Sequence, residues 1–520
     1  MTTRTTRTTH RRSPRIAAAA LTVLLLPGLA GCFSAGPASD AASGERVSLA
    51  MLQPPRSGLS PLSDDAFKLS RWSTAETLVT LDDDAVAQPG LATRWEQTSD
   101  TTWRFEIRPD VHFHDGTLLT GDAVAGALQH AAAASPVPRI LKGVGLQATA
   151  DGDAVVVTTT EVDPLLPQRL SSPQLSILAP SAYTGDTVSP IGTGTGPFEL
   201  VAVDGISGAT LDRFEGYWGG RARLAGIDVA FVPDGTARTA ALRTGAADIV
   251  EAVPAGQVET VDPALVHEVP MPRTNTLYLN AARGPFADSA VRAAARDAID
   301  RAQIIASVYE GRADEASGLL GPALAWTVDG RGTPAYRDIL ATRATPAKVD
   351  GVPITLGTFT DRAELPEVAV LVAQQLQAAG FVVTQDVREY QFIEADALAG
   401  AFDAFLLSRA TVLDSGDPVA YFEADFACGG GFSISQLCDP AVDEAISTAS
   451  RTEPGTPRQT AILAAEATIL ATDAAVPLLH ERVVQGESAR VHDAARDPRE
   501  RALVTIDTWI DAAATGDASR

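Results

Sequence analysis

Strand-like and helix-like stretches take turns along the second half of this chain, and that order restricts the fold more than any single motif does. "VPITLGTF" (352–359) is apolar and rich in branched side chains, and "PEVAVLVAQQLQAAG" follows with apolar residues at helical spacing. Pro366 stands at the start of that helix and Gly380 just past its end, the usual asymmetry of helix termini. "FVVTQDV" then reads as a strand, and "FDAFLLSRA" as another, placed before an Asp/Gly/Pro loop. Strand–helix–strand order predicts α/β domains with mainly parallel pairing. The pattern over 289–309 predicts one long helix with Asp288 as its cap. Earlier, Trp103, Phe105 and Ile107 alternate with Arg104, Glu106 and Arg108, which predicts a strand; Asp115-Gly116 is a turn signal, and Thr120 an N-cap. "DAVVVTTTE" (153–161) is also strand-like. At 520 residues the chain is too long for one core, so two or three domains are expected.

The N-terminus reads differently. Residues 1–15 carry five arginines and no acid, and "IAAAALTVLLLPGLAGC" follows, broken by Pro27 and Gly28. This run is short for a bilayer span and its flanks fit a signal peptide over 1–31. It closes on "LAGC", which resembles the bacterial lipobox, so Cys32 is expected to be lipidated and to become the first residue. A plain secretory signal is the other reading. Arg11-Arg12 hints at a twin-arginine route without excluding the general one. "FSAGPASDAASGE" completes a flexible tether over 32–45. No second apolar run of membrane length occurs. Acids outnumber bases 65 to 41, a net charge of −24, which argues against nucleic acid as a partner.

Three cysteines fit this exported setting. Besides Cys32, only Cys428 and Cys438 remain, in "CGGGFSISQLC". Outside the reducing cytoplasm such a pair is expected to close a disulfide. The rival is a metal site, for which two thiols without a nearby histidine are a poor set.

Catalytic signatures are missing. "GTGTGPF" (192–198) lacks the lysine of a phosphate-binding loop, no nucleophile elbow occurs, and His480-Glu481 has no second histidine four residues on. Asp82-Asp83-Asp84 reads as a solvated acidic turn. His112 and His114 in "HFHD" would share one face of a strand and could form a two-histidine site; a turn packed by Phe113 is the alternative.

The segment "WRFEIRPDVHFHDGTLLTGDAV" (103–124) resembles the signature region of the family 5 extracellular solute-binding proteins, receptors of peptide, nickel, opine and related ABC importers. "AETLVTLDDDAVAQPGLATRWE", "GTGPFEL", "GYWGGRARLAGIDVAFVPDGTARTAALRTGAADIVEAVP", "LYLNAARGPFADSAVRAAARDAIDRAQII", "LCDPAVDEAISTA" and "ATDAAVPLLHE" are similar to further blocks of that family, in the same order. The resemblance implies an α/β, two-lobed fold like the periplasmic binding proteins of type II, with an extra inserted domain and a hinge between lobes. It places lobe I in 46–75, 196–280 and 482–520, the inserted domain in 76–195, and lobe II in 281–481. It makes "HFHD" scaffold. It implies a receptor without catalytic residues, cofactor or bound structural metal. The expected partners are a small-molecule or peptide ligand, a permease pair with its ATPase, and the membrane through a lipid on Cys32. The receptor is expected to be a monomer on the outer face of the cell membrane.

For the ligand, the resemblance points to "SRATVLDSGDPVAYF". Dipeptide-binding members carry an aspartate three residues before the Asp-Pro pair, which takes the α-ammonium; Asp414 matches it, ahead of Asp417-Pro418. A turn aspartate is the alternative. The tryptophan usual three residues earlier is Thr411 here, and Arg409 lies nearby, so a stacking wall is expected to be absent and an anionic group to be read instead. Arg362 in "FTDRAELP" stands near where dipeptide-binding members place the cation that takes the peptide carboxylate; a surface arginine is the alternative. The peptide reading leads. A nickel or metallophore receptor of the same family is the alternative, and an exported lipoprotein hydrolase the alternative of another class.

Overall fold

The computed structural model describes residues 45–82, 85–184, 187–362, 364–412 and 415–512, less the side chain of Gln391. The leader 1–31, Cys32, the tether up to residue 44, Asp83, Asp84 and Asp414 lie outside the described residues.

An 11-stranded sheet runs through the chain. On one flank Arg46–Met51 lies between Gly226–Phe231 and Ile249–Val250, parallel to both. The hairpin of Phe198–Asp204 and Gly208–Arg213 extends that flank antiparallel. On the other flank Val352–Phe359 pairs in parallel with Phe381–Arg388 and Ala404–Ala410. Helix Glu364–Ala378 makes the crossover between the first two of these; it begins two residues before Pro366, which its first turn tolerates.

Two long strands, Val266–Leu279 and Ala475–Glu487, join the flanks. The centre of the sheet is antiparallel, from Ile249–Val250 through both long strands to Ala404–Ala410. The expectation of mainly parallel pairing is corrected here. Local strand–helix–strand order specifies parallel neighbours, but the central strands come from segments as far apart as Thr274 and His480, 206 residues along the chain. Val266–Leu279 is partly exposed at its start and buried throughout its end, as a strand covered on both faces must be.

The pairing of the two long strands breaks in the middle. Val266–Pro270 faces Arg482–Gly486, Thr274–Tyr278 faces Ala475–His480, and the register slips between. Pro270 and Pro272 have no amide proton to give to a ladder, so continuous pairing is not available there. The slip works as a bulge and bends the strand pair where it passes from one flank to the other. The apolar interior divides at the same place. One cluster gathers Leu277, Leu356, Phe405 and Leu479; another gathers Val47, Leu211, Phe198 and Ile227.

A third cluster belongs to residues 78–179, where Ala92–Ser99, Thr102–Ile107, Ala154–Thr158 and Gln147–Asp151 form a separate four-stranded antiparallel sheet. Helix Gly121–Ala133 covers it, and Thr120 caps that helix by accepting the Ala123 amide at 3.2 Å. The "HFHD" stretch is no strand with paired histidines: His112 is exposed and His114 buried. The His114 ring sits edge-on to Phe214 and bonds the Gly196 carbonyl at 2.9 Å through Nε2. Burial lowers its pKa to about 4, so the ring stays neutral scaffold.

The single helix expected over 289–309 is two. Ser289–Ala298 ends at an extended Ile299, and Asp300 starts Arg301–Val308 by accepting the Gln303 amide at 2.9 Å. A capping aspartate inside a helical pattern offers the backbone a competing partner, and here it wins. Asp288 caps the first piece through the Ala290 amide at 2.8 Å.

Candidate ligand-binding site

Charged side chains from both flanks converge where the long strands lose register. Arg273 lies in the break itself and donates through Nε to Glu500 Oε1 at 2.9 Å. Glu481, beside the break on the other long strand, accepts from Arg362 at 3.0 Å. Arg71, ending the helix Ala66–Arg71, pairs with Glu251. Each of these six side chains is partly shielded, from 11% exposed for Glu481 to 34% for Arg362. Beneath them Asn275 Nδ2 donates to the buried Tyr309 hydroxyl at 2.6 Å.

The set is balanced, three guanidiniums against three carboxylates. Burial on its own would lower the pKa of Arg362, but Glu481, Glu500 and Glu364 together raise it. Burial would likewise raise Glu251 and Glu500. Arg71 holds the first below the usual carboxylate range, and Arg273, Arg71 and Arg362 hold the second there. For Arg71, Glu251, Arg362 and Glu500 the opposite charges around each group outweigh its burial and favour its ionised form.

The structure places the residues named from sequence as follows. Arg362 is in the cluster. Thr411 is buried beside it: its amide and its hydroxyl both donate to the Pro272 carbonyl, at 2.8 and 3.2 Å, which ties the end of Ala404–Ala410 to the register break. Arg409 is committed elsewhere. Its Nε and Nη2 donate to the two oxygens of fully buried Asp425 at 2.9 and 2.7 Å, and Phe432 lies 4.4 Å from the guanidinium carbon. The residue expected to read a ligand anion thus has one donor edge spent on Asp425. Asp417 is likewise held by Arg458, at 2.7 and 3.1 Å. Asp414 lies outside the described residues. Cys428 and Cys438 are joined as a disulfide.

The hairpin of Val79–Leu81 and Ala87–Pro89 reaches the same loop. A Cβ built on Gly416 would stand 2.7 Å from Leu81 Cδ1 and 2.8 Å from Ala85 Cβ, so only a glycine allows this approach. Next to it the Asp82 carbonyl accepts from Arg499 at 2.5 Å. Two surface pockets of about 340 and 300 Å³ lie along helix Gly121–Ala133, but no lysine or arginine lines either. Among the described residues no group of three or more histidine, cysteine or acidic side chains is placed to hold a metal. No helix among them is long and apolar enough to cross a membrane.

Sequence reasoning missed Arg71, Glu251, Arg273 and Glu500 entirely, and met Glu481 only as half of a failed zinc motif. The pairs Arg71–Glu251 and Arg273–Glu500 span 180 and 227 residues, so no spacing could have announced them.

Two half-sheets joined by shared strands, with a cluster of opposed charges at the crossing, define a bilobal α/β binding protein. Residues 86–433 match the family described as bacterial extracellular solute-binding proteins, family 5 middle, and the chain belongs to that family. Among its relatives is the nickel-binding protein NikA of Staphylococcus aureus, 24% identical over 385 residues, covering 73% of this chain and 77% of the relative. A probable di/tripeptide-binding protein 5 of Pseudomonas aeruginosa is 26% identical over 413 residues, covering 69% and 75%. Among solved structures, a nickel ABC transporter protein of Bacillus halodurans superposes with a TM-score of 0.73 at 25% identity, covering 90% of this chain and all of that one.

Proposed function

We propose that this chain is the extracytoplasmic substrate-binding receptor of an ABC importer, that it captures a small amine-bearing ligand, an oligopeptide or dipeptide, between its two lobes, and that it hands the ligand to a permease pair driven by an ATPase. The observation that carries this reading is the balanced cluster at the strand crossing. A site lined by Arg71, Arg273 and Arg362 against Glu251, Glu481 and Glu500 suits a ligand bearing both signs of charge. A bare cation or anion would leave half of it opposed. Asp414 is assigned the ligand ammonium and Arg362 the carboxylate end. The likeness to a probable di/tripeptide-binding protein supports this assignment.

The nickel-binding relatives favour a second reading, a receptor for nickel or a metallophore. With no three-ligand group among the described residues, the metal would arrive already chelated by a small molecule. We assign lobe I to 46–75, 196–280 and 482–520, the inserted domain to 76–195 and lobe II to 281–481, in keeping with the three apolar clusters. Cys32 is assigned a lipid anchor on the outer face of the membrane, and palmitate label lost in Cys32→Ser would test it.

One experiment decides the ligand. Mass spectrometry and metal analysis identify what copurifies, and calorimetry then compares wild type with Asp414→Asn. For a micromolar ligand, about −8 kcal/mol, removing the counter-ion of a buried ammonium costs roughly 3–5 kcal/mol. Binding should weaken by more than about a hundredfold, and an N-acetylated ligand should fail on the wild type. Equal affinity in both proteins would remove Asp414 from the site. A copurified nickel chelate would replace the peptide reading. The ligand is expected to be recovered chemically unchanged.

A further inference from the structure

Glu500 is held in an unusual way. It has φ +57, the left-handed region that side-chain-bearing residues avoid. The surrounding loop is wound on Asp497, whose carboxylate accepts the amides of Arg499, Arg501 and Ala502 at 2.8, 2.9 and 3.1 Å. The loop is also fastened to the helix end that carries Arg71. The Leu503 and Val504 amides both donate to the Arg71 carbonyl, at 3.1 and 3.0 Å, and Ser70 Oγ donates to the Arg501 carbonyl at 2.6 Å. The backbone is thus fixed, and what it fixes is a carboxylate among arginines of both flanks. Arg273 bonds it directly, and Arg71 and Arg362 help to keep it ionised.

The arginines are not used up. Arg71 spends one amino group on Glu251, while its Nε is buried without a hydrogen-bond partner. A buried donor left idle is costly, and sites that bind something leave such donors. A second carboxylate oriented toward Arg71 would satisfy it.

We propose that Arg71, Arg273 and Arg362 form a carboxylate-binding subsite and that Glu500 is its resident stand-in, rotated out when an acidic group of the ligand enters. The inference rests on the strand crossing being the ligand site and goes beyond it by naming the exchange. Ligand entry swaps one carboxylate for another, so the arginines never face a dry cleft unpaired. Discrimination follows as well: a ligand without an acidic group meets a subsite already filled.

Acetate is the probe, because it tests the subsite without requiring the natural ligand. Glu500→Gln removes the charge. Glu500→Gly removes the side chain and suits the left-handed backbone, so it guards against loss of folding, which circular dichroism checks. Thermal melting is followed in acetate against chloride at equal ionic strength. Both variants should gain an acetate-dependent rise in Tm, half-saturating at least about tenfold lower than in wild type. Adding Arg273→Gln to Glu500→Gly should abolish the gain. An equal acetate response in wild type and both variants would overturn the proposal. A copurified ligand with no amine would undo the peptide reading and leave this result standing, so the two can fail separately.

Discussion

Gly416→Ala adds two costs at one position. The first is local: at φ +71 an alanine loses roughly 1 kcal/mol whatever the lobes are doing. The second arises only where the hairpin 79–89 meets the 415–418 loop. The new Cβ would stand 2.7 Å from Leu81 Cδ1 and 2.8 Å from Ala85 Cβ. Carbon atoms rest about 3.5–4.0 Å apart, so one side must retreat by roughly 1 Å. Leu81 can rotate away, but the Ala85 methyl is fixed to the backbone. Overpacking of this kind costs about 1–3 kcal/mol. Both costs are already present in the ligand-free protein, so Gly416→Ala should lose about 2–4 kcal/mol in urea denaturation. Leu81→Ala in the same background should recover part of that loss, because it removes the Cδ1 contact. Stability equal to wild type in Gly416→Ala would mean that the hairpin does not approach this loop as closely as described, and the overpacking argument would be wrong.

Asp425→Ala leaves Arg409 buried without its partner and should cost about 3–5 kcal/mol in urea denaturation, whereas Arg409→Met with Asp425→Leu should come close to neutral. If the double variant is as unstable as the single one, the pair is not what the site depends on. Intact mass after alkylation without reductant should show Cys428 and Cys438 blocked, and Cys428→Ser with Cys438→Ser should lower stability by about 2–3 kcal/mol; two alkylated thiols in exported protein would refute the bond. His114, lowered by burial to about 4 from 6.5, contributes stability that is full above pH 6.5 and lost as pH falls toward 4. His114→Gln should flatten that part of the profile by about 3 kcal/mol, and a profile parallel to wild type would show that the ring is not buried neutral.

Local chemistry made much of the fold legible. Thr120 and Asp288 cap the helices their positions announced, and Val352–Phe359, Phe381–Arg388 and Ala404–Ala410 are strands because runs of branched and aromatic residues suit nothing else between those turns. Misreadings came where distant residues decide. Ile299-Asp300 interrupts a helical pattern because the cap competes within it. The pairing of Arg409 with Asp425, 16 residues on, was also not foreseen, because it forms only when the helix Val419–Asp425 turns back on the strand. The candidate site was legible only at Arg362. Its other charges are joined across as many as 227 residues, and pairing of that kind leaves no period in a sequence.

The strand Ala475–Glu487 has its place in the middle of the large sheet, between Ile249–Val250 and Val266–Leu279, yet it is the last strand of that sheet to leave the ribosome. Until about nine-tenths of the chain exists, both halves lack a common neighbour, and the residues of Val266–Leu279 that it will cover have no partner along one edge. Neither half can complete its hydrogen bonding early. A nascent chain built in this order cannot complete its largest sheet until late in its synthesis. The same order makes the final segment a checkpoint: a product cut short before residue 475 retains nearly all of its apolar residues but has no way to close the sheet that buries them.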